Sequence, residues 1–73
     1  MPHIVVKMYK GRTEKQKQDL TQEIKNALIR SIGCSEDHVS LDIIDYEPLE
    51  WTEKVYNPEI KAKWDKLYIK PKY

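Results

Sequence analysis

Two segments of the chain alternate apolar residues with a period of two, which is the pattern of β-strands. Residues 4–9 and residues 39–46 are both rich in β-branched and aromatic side chains. Each segment has one apolar face: Ile4, Val6 and Met8 in the first, and Val39, Leu41 and Ile43 in the second. Because the other face of the first segment holds Val5 and Tyr9 beside Lys7, we expect both faces of that strand to be covered.

Between these segments, apolar residues recur at helical spacing. Thr13 and Gln16 stand at the spacing of a capping box, so a helix is predicted to begin after Thr13, and Gly33 is a candidate for its left-handed cap. The apolar stripe of this helix comprises Leu20, Ile24, Ala27, Leu28 and Ile32. A helix of roughly 20 residues spans about 30 Å, so it can return the chain to the starting edge. We therefore predict parallel strands joined by a right-handed crossover.

The last third of the chain is predicted to contain a second, shorter helix. Asn57 followed by Pro58 is a good start signal, and the apolar spacing continues to about Tyr68. Pro71 forbids further continuation. Residues 49–56 are predicted to form either a short helix or an irregular wall.

The predicted fold class is α+β: a single domain, residues 1–73, built from a β-α-β unit with two parallel strands and a long helix, plus the short C-terminal helix. Two strands alone make a poor sheet, and 73 residues is close to the lower limit for a self-sufficient core. We therefore expect oligomerisation to complete the sheet.

Composition narrows the classes of function. Charged residues make up 34% and hydrophobic residues 40% of the chain, with a net charge of +1 and a mean hydropathy of −0.77. Residues 36–53 hold seven acidic and no basic side chains, which argues against a nucleic-acid partner. This acidic block either supports self-association or is a solvated face. No apolar run predicts a membrane span and no signal-peptide pattern is present, so we expect a cytoplasmic protein with no membrane partner.

Few residues of the chain are candidates for a catalytic or metal-binding role. The only glycines, Gly11 and Gly33, lie outside any phosphate-binding or dinucleotide-binding motif. No spacing typical of metal ligands occurs, so neither a metal nor a cofactor is expected. Cys34 and His38 are four residues apart and could form a Cys–His nucleophile or half of a metal site. The alternative is that the free cysteine behaves as a small hydrophobe.

Pro2 carries the most specific chemical hypothesis. Removal of Met1 would leave a secondary amine at the start of the first strand. An α-amino group ordinarily has a pKa of about 7.7 to 8.0, and apolar surroundings or a cation such as Arg12 would lower that pKa. The amine could then act as a general base near neutral pH. The structural alternative is a proline that blunts a strand edge.

The order of these features resembles the 4-oxalocrotonate tautomerase family. The resemblance rests on Pro2 directly after Met1, the strand 3–9, Gly11-Arg12-Thr13 before a helix rich in Gln and Lys, and the second strand 39–45. It covers residues 2–46. The C-terminal part, which contains Trp51 and ends in Ile69-Lys70-Pro71-Lys72-Tyr73, is similar to the short, dimeric phenylpyruvate-type subgroup of the family.

The resemblance implies keto–enol tautomerisation without a cofactor. Pro2 would be the general base that moves a proton between the enol oxygen and carbon. Arg12 would bind the substrate carboxylate, a task that suits the bidentate geometry of a guanidinium. Trp51 would form an aromatic wall that holds an aryl or alkyl group.

One position departs from the family pattern. Founding members carry a second arginine in the second strand, whereas this chain has Ser40 there, with Asp42 close by. We therefore expect a 2-oxo monoacid or its enol as the substrate, such as phenylenolpyruvate, with Ser40 offering a hydrogen bond. The resemblance of the longer C-terminal segment to the dimeric subgroup implies a homodimer rather than a hexamer. Two alternatives stay open. A protonated Pro2 could help to add water or expel halide, or the chain could be a non-catalytic oligomeric binding protein that retains Met1.

Overall fold

The computed structural model describes all 73 residues and contains the predicted β-α-β unit. Strand β1 spans His3–Tyr9, helix α1 spans Glu14–Ile32 and strand β2 spans Ser40–Tyr46. The strands form a parallel pair in which His3 lies opposite Ser40 and Tyr9 lies opposite Tyr46. The predicted fold class and the parallel strands are confirmed.

Both ends of α1 form as their local sequence predicts. The backbone N–H of Gln16 donates to Thr13 Oγ1 at 3.1 Å, and the backbone N–H of Thr13 donates to Gln16 Oε1 at 2.9 Å. Gly33 adopts a left-handed conformation with φ of 70°, and its N–H donates to the carbonyl of Ile29 at 3.1 Å. The capping box and the glycine cap are thus confirmed. No helix of the chain has both the length and the apolarity needed to cross a membrane.

The two faces of the sheet are covered by different parts of the chain. On one face, Lys17 of α1 reaches Asp45 of β2, with 2.5 Å between Nζ and Oδ2. On the other face, the ring of Trp51 packs against those of Tyr9 and Tyr46. The expectation that both faces of β1 are covered is met only in part, because Val5 and Tyr9 on this second face remain 44% and 48% exposed.

The prediction of a helix from Pro58 to about Tyr68 is wrong about where that helix begins and ends, whereas residues 49–56 are helical, as one of their two predicted alternatives has it. Helix α2 spans Pro48–Trp51 and continues directly as a π-helix over Thr52–Lys61. We call this continuous stretch, Pro48–Lys61, the C-terminal helical segment. It is followed by a single 3₁₀ turn, Trp64–Lys66, and residues 67–73 have no regular secondary structure.

The same start signal occurs twice, and the chain uses the first. Pro48 occupies the opening turn of α2, and Glu47 caps it in an extended conformation with its N–H donating to Glu50 Oε1 at 3.2 Å. Pro58 instead lies inside the π-helix. In an α-helix, an interior proline clashes with the carbonyl four residues earlier. The chain through Pro58 follows a π-helix instead, in which bonds join residues five apart, as in the bond from the Ala62 N–H to the Asn57 carbonyl at 3.1 Å.

The chain leaves an unusually large area exposed. Val55, at 4% exposure, is the single buried residue, and the accessible surface is 5949 Å². A compact monomer of 8.7 kDa should expose about 4,700 Å² according to the scaling of surface with mass. The excess, about a quarter, includes apolar side chains such as Ile32 at 64% and Leu49 at 98%. One copy of the chain therefore does not complete a core.

Candidate active site

The largest cleft of the molecule lies between the end of β1 and the C-terminal helical segment. Its volume is about 950 Å³, and it is open to solvent on one side. The residues that line it come from β1, the turn after β1, the C-terminal helical segment and the last residue of the chain. They are Lys7, Met8, Tyr9, Arg12, Trp51, Thr52, Tyr56, Asn57, Lys61 and Tyr73.

Aromatic rings form the apolar wall of this cleft. Trp51 packs edge-on against Tyr9, with 5.3 Å between ring centroids, and against Tyr46 at 6.2 Å. Tyr56 stacks at a tilt on Tyr73 at 5.7 Å, and its hydroxyl donates to the main-chain oxygen of Tyr73 at 3.2 Å. Edge-to-face pairs of this kind each contribute about 0.5 to 1.5 kcal/mol beyond area burial. The wall is therefore held in place before any ligand binds.

Three cations line the same cleft, and two of them have no acidic partner. Lys7 forms an ion pair with Glu59 of the π-helix. Arg12 and Lys61 take part in none of the six ion pairs of the structure. An open cleft with apolar walls and two uncompensated positive charges favours a small anion that carries an apolar group.

The Lys7–Glu59 pair ties the C-terminal helical segment to β1 and should give this attachment a pH dependence. The hydrogen bond that Lys7 donates to Glu59 raises the pKa of Lys7 above its ordinary value of 10.5, against a smaller opposing effect of desolvation. Because the pKa of the folded state is the higher one, the pair stabilises the fold fully below about pH 10.5 and loses this effect as the pH rises through the pKa of the folded state.

We expect the urea midpoint of the wild-type protein to fall above pH 10.5 more steeply than that of a Lys7→Met variant. Other lysines deprotonate in both proteins, so the difference between the two curves isolates the pair. Parallel curves between pH 9 and 12 would show that the pair does not tether the segment.

The structure does not bring all four predicted site residues together in one chain. Arg12 and Trp51 line the cleft, but Pro2 and Ser40 lie at the opposite end of the strands. Tyr9 lies seven residue steps after Pro2, which at about 3.3 Å per residue puts these two residues roughly 23 Å apart. At that far end, the backbone N–H of Ser40 donates to the Pro2 carbonyl at 3.2 Å.

The side chain of Ser40 has a partner of its own. Its Oγ lies 2.6 Å from Nδ1 of His3, the residue directly opposite in the strand register. Pro2 is half-buried beside this pair. The start of the sheet thus holds an ordered serine and histidine next to the residue that carries the proposed base.

Of the ten residues that line the cleft, only Arg12 and Trp51 were predicted as site residues; the eight others include Lys61, Tyr56 and Tyr73. Thr52 and Lys61 are nine residues apart, which is two and a half turns of an α-helix and would place them on opposite faces. In the π-helix both line the cleft, together with Tyr56 and Asn57. No pattern with a period of 3.6 could have found this face. Elsewhere, no three His, Cys, Asp or Glu side chains are grouped so that they could hold a metal ion.

Comparison with known proteins finds relatives whose alignment covers the whole chain. No protein-family model matches it. The tautomerase PptA of Pectobacterium carotovorum is 34% identical over 74 residues, an alignment that covers 100% of this chain and 97% of the relative. The 2-hydroxymuconate tautomerase of Bacillus subtilis is 38% identical over 39 residues, which are 53% of this chain and 63% of that protein.

Solved structures agree with this relationship. YwhB, a homologue of 4-oxalocrotonate tautomerase, superimposes with a TM-score of 0.62 and 33% identity over 63% of this chain and 75% of its own. The β-α-β unit, the parallel register and the full-length similarity to a tautomerase point to one assignment. The chain belongs to the tautomerase superfamily and is an isomerase of the 4-oxalocrotonate tautomerase family.

Proposed function

We propose that the chain catalyses keto–enol tautomerisation of a small 2-oxo monoacid, with phenylenolpyruvate as the representative enol. The observation that carries this proposal is the cleft: Arg12 stands without an acidic partner beside the wall formed by Trp51. A guanidinium binds a carboxylate through two parallel hydrogen bonds. The aromatic wall accommodates the aryl or alkyl group of the same molecule.

The base of this reaction is the amine of Pro2, freed by removal of Met1. It accepts the proton of the enol hydroxyl, and the oxygen lone pair then re-forms the C2=O bond while the C2=C3 electron pair takes the proton from the resulting ammonium at C3. The same proton returns to the substrate, so no external acid or cofactor is needed. The pyrrolidine ring limits how far the nitrogen can move, which favours a single geometry for both transfers.

Two copies of the chain are required, because Pro2 and the cleft lie at opposite ends of β1. A twofold axis that pairs β1 with the β1 of a second copy makes these strands antiparallel. The start of one strand then lies beside the end of the other, and Pro2 of one copy approaches Arg12 and Trp51 of its partner. We propose a homodimer of this kind, with a four-stranded sheet. The large exposed area of the single chain supports it.

Ser40 bears on the charge that the substrate can carry. Its hydroxyl is engaged with His3 at the start of the sheet, and Asp42, two residues on, lies on the same face of β2. A second carboxylate at this end would meet an anion instead of a cation. The proposed role of Ser40 is therefore a hydrogen bond to a monoacid, and a diacid is disfavoured.

The direct test follows the loss of the enol absorbance of phenylenolpyruvate as the protein converts it to the keto form. We expect turnover well above the rate in buffer, and we expect 2-hydroxymuconate, a diacid, to react with a kcat/KM at least about tenfold lower, the effect of about 1.4 kcal/mol. Intact-mass measurement on the same sample identifies the fraction without Met1, and activity should scale with that fraction. No turnover by protein that lacks Met1 would overturn the proposal and favour a non-catalytic binding role.

An NMR titration of the Pro2 amine separates the base from the acid role. A general base that is effective near neutrality requires a pKa near or below the working pH. A value well above neutrality, together with hydration or dehalogenation of a 3-haloacrylate, would instead support the alternative in which a protonated Pro2 acts as an acid.

A further inference from the structure

Lys61 lines the cleft, but the tautomerase mechanism above gives it no task. It comes from the last turn of the π-helix, its side chain is exposed and it forms no ion pair. Lys7, the other lysine of the cleft, is neutralised by Glu59. Besides Arg12, Lys61 is therefore the one positive charge in the cleft that is free to contact a ligand.

Lys61 reaches the cleft because this helix departs from regular α-helical geometry. Thr52, Tyr56, Asn57 and Lys61 share one face only because the π-helix, which bonds residues five apart, has a wider turn than the 3.6 residues of an α-helix. A π-helical stretch has poorer geometry than an α-helix and is rare, and it occurs frequently at functional sites. An α-helical path through the same residues would turn Lys61 away from Thr52 and out of the cleft.

The reaction itself creates a charge that Arg12 does not neutralise. When the base removes the enol proton, the C2 oxygen becomes an enolate while the carboxylate keeps its own charge, so the intermediate is a dianion with adjacent negative groups. Preorganised donors aimed at such a developing charge stabilise the transition state more than the ground state. The position of the family's second arginine holds Ser40 in this chain, whose hydroxyl carries no charge.

We propose that Lys61 is a further catalytic residue, whose ammonium donates a hydrogen bond to the C2 oxygen of the bound 2-oxo acid as that oxygen gains negative charge, while Arg12 holds the carboxylate. This inference rests on the proposed function for the identity of the substrate. The assignment of Lys61 rests on three observations: it has no acidic partner, it lines the same cleft as Arg12, and the π-helix places it on the face that lines this cleft.

The kinetic test uses Lys61→Met, Lys61→Arg and a matched control, Lys63→Met. Lys63 is exposed, lies two residues further along the chain, forms no ion pair and is absent from the cleft. With phenylenolpyruvate, we expect Lys61→Met to lower kcat about 100-fold, as loss of one oxyanion donor does, with KM changed less than threefold. Lys61→Arg should recover a large part of kcat, and Lys63→Met should equal the wild type. A rise in KM with kcat unchanged would show that Lys61 only binds the carboxylate and would overturn the proposal.

A binding test separates this inference from the proposed function. Oxalate presents two adjacent anionic groups and mimics the enolate, whereas benzoylformate has a neutral 2-oxo group and no hydrogen on C3, so it cannot enolise. Lys61→Met should weaken oxalate binding at least tenfold and benzoylformate binding less than threefold, as measured by titration of the full-length protein. If the wild type fails to convert enols but shows this selective loss, the proposed function fails and the role of Lys61 stands. Equal weakening of both ligands, or of neither, overturns the inference.

Discussion

Replacement of Pro2 by alanine is expected to lower kcat for phenylenolpyruvate about 100-fold. Alanine leaves a primary amine after Met1 is removed, but the amine loses the ring that restricts its position. General acid–base catalysis typically accelerates a reaction 10² to 10⁴-fold. Loss of a positioned base should therefore lower kcat by at least about 10²-fold. A variant that retains Met1 should lose more, because the proline nitrogen is then an amide without useful basicity.

The Pro2→Ala variant must keep the fold if its kinetics are to be interpreted. Pro2 contributes a carbonyl, and not an N–H, to the bond with Ser40, so alanine can preserve that bond. We expect the far-UV circular dichroism and the oligomeric state to match those of the wild type. Full activity in a folded Pro2→Ala protein that lacks Met1 would exclude the amine as the base that limits the rate.

Replacement of Arg12 by alanine is expected to lower kcat/KM about 10 to 100-fold. A hydrogen bond to a charged group contributes about 1.5 to 3 kcal/mol, and each 1.4 kcal/mol corresponds to a factor of ten. Arg12 has no acidic partner whose charge would be left exposed by the substitution. The loss should therefore reflect binding of the substrate and transition state, with little change in the free energy of unfolding.

The matched control for Arg12 is Arg30→Ala. Arg30 is the only other arginine of the chain; it is exposed in the last turn of α1 and lies outside the cleft. Kinetics with phenylenolpyruvate should be unchanged in this variant. If Arg12→Ala and Arg30→Ala have the same kcat/KM as the wild type, Arg12 does not bind the carboxylate.

Local signals in the sequence predicted the first two thirds of the fold, because each signal there has one interpretation. Thr13 and Gln16 have no competing cap nearby, and Gly33 is the one residue near the end of α1 that adopts a left-handed conformation without strain. The last third holds two start signals, at Pro48 and Pro58, and sequence reasoning preferred the second. The helix begins at Pro48, which places Trp51 against Tyr9 and Tyr46 of the strands, and this contact between distant residues is not visible in local sequence.

The sequence predicted individual residues of the candidate site but not how they are arranged relative to one another. Arg12 and Trp51 line the same cleft. The family resemblance had indicated both of them as substrate-binding residues. The separation of Pro2 from Arg12 follows from the length of β1 and a rise of about 3.3 Å per residue. Lys61 could not be found, because its position depends on a π-helix that no helical period of 3.6 describes.

Mixing two inactive variants tests whether each active site combines Pro2 of one copy with Arg12 and Trp51 of another. Pro2→Ala and Arg12→Ala are unfolded together, refolded as a mixture and assayed with phenylenolpyruvate. If copies pair at random through a twofold axis, half of the dimers are mixed and one of their two sites is intact, so we expect recovery of about a quarter of wild-type activity. Activity that stays at the mean of the two separate variants, in a mixture shown to exchange subunits, would contradict it.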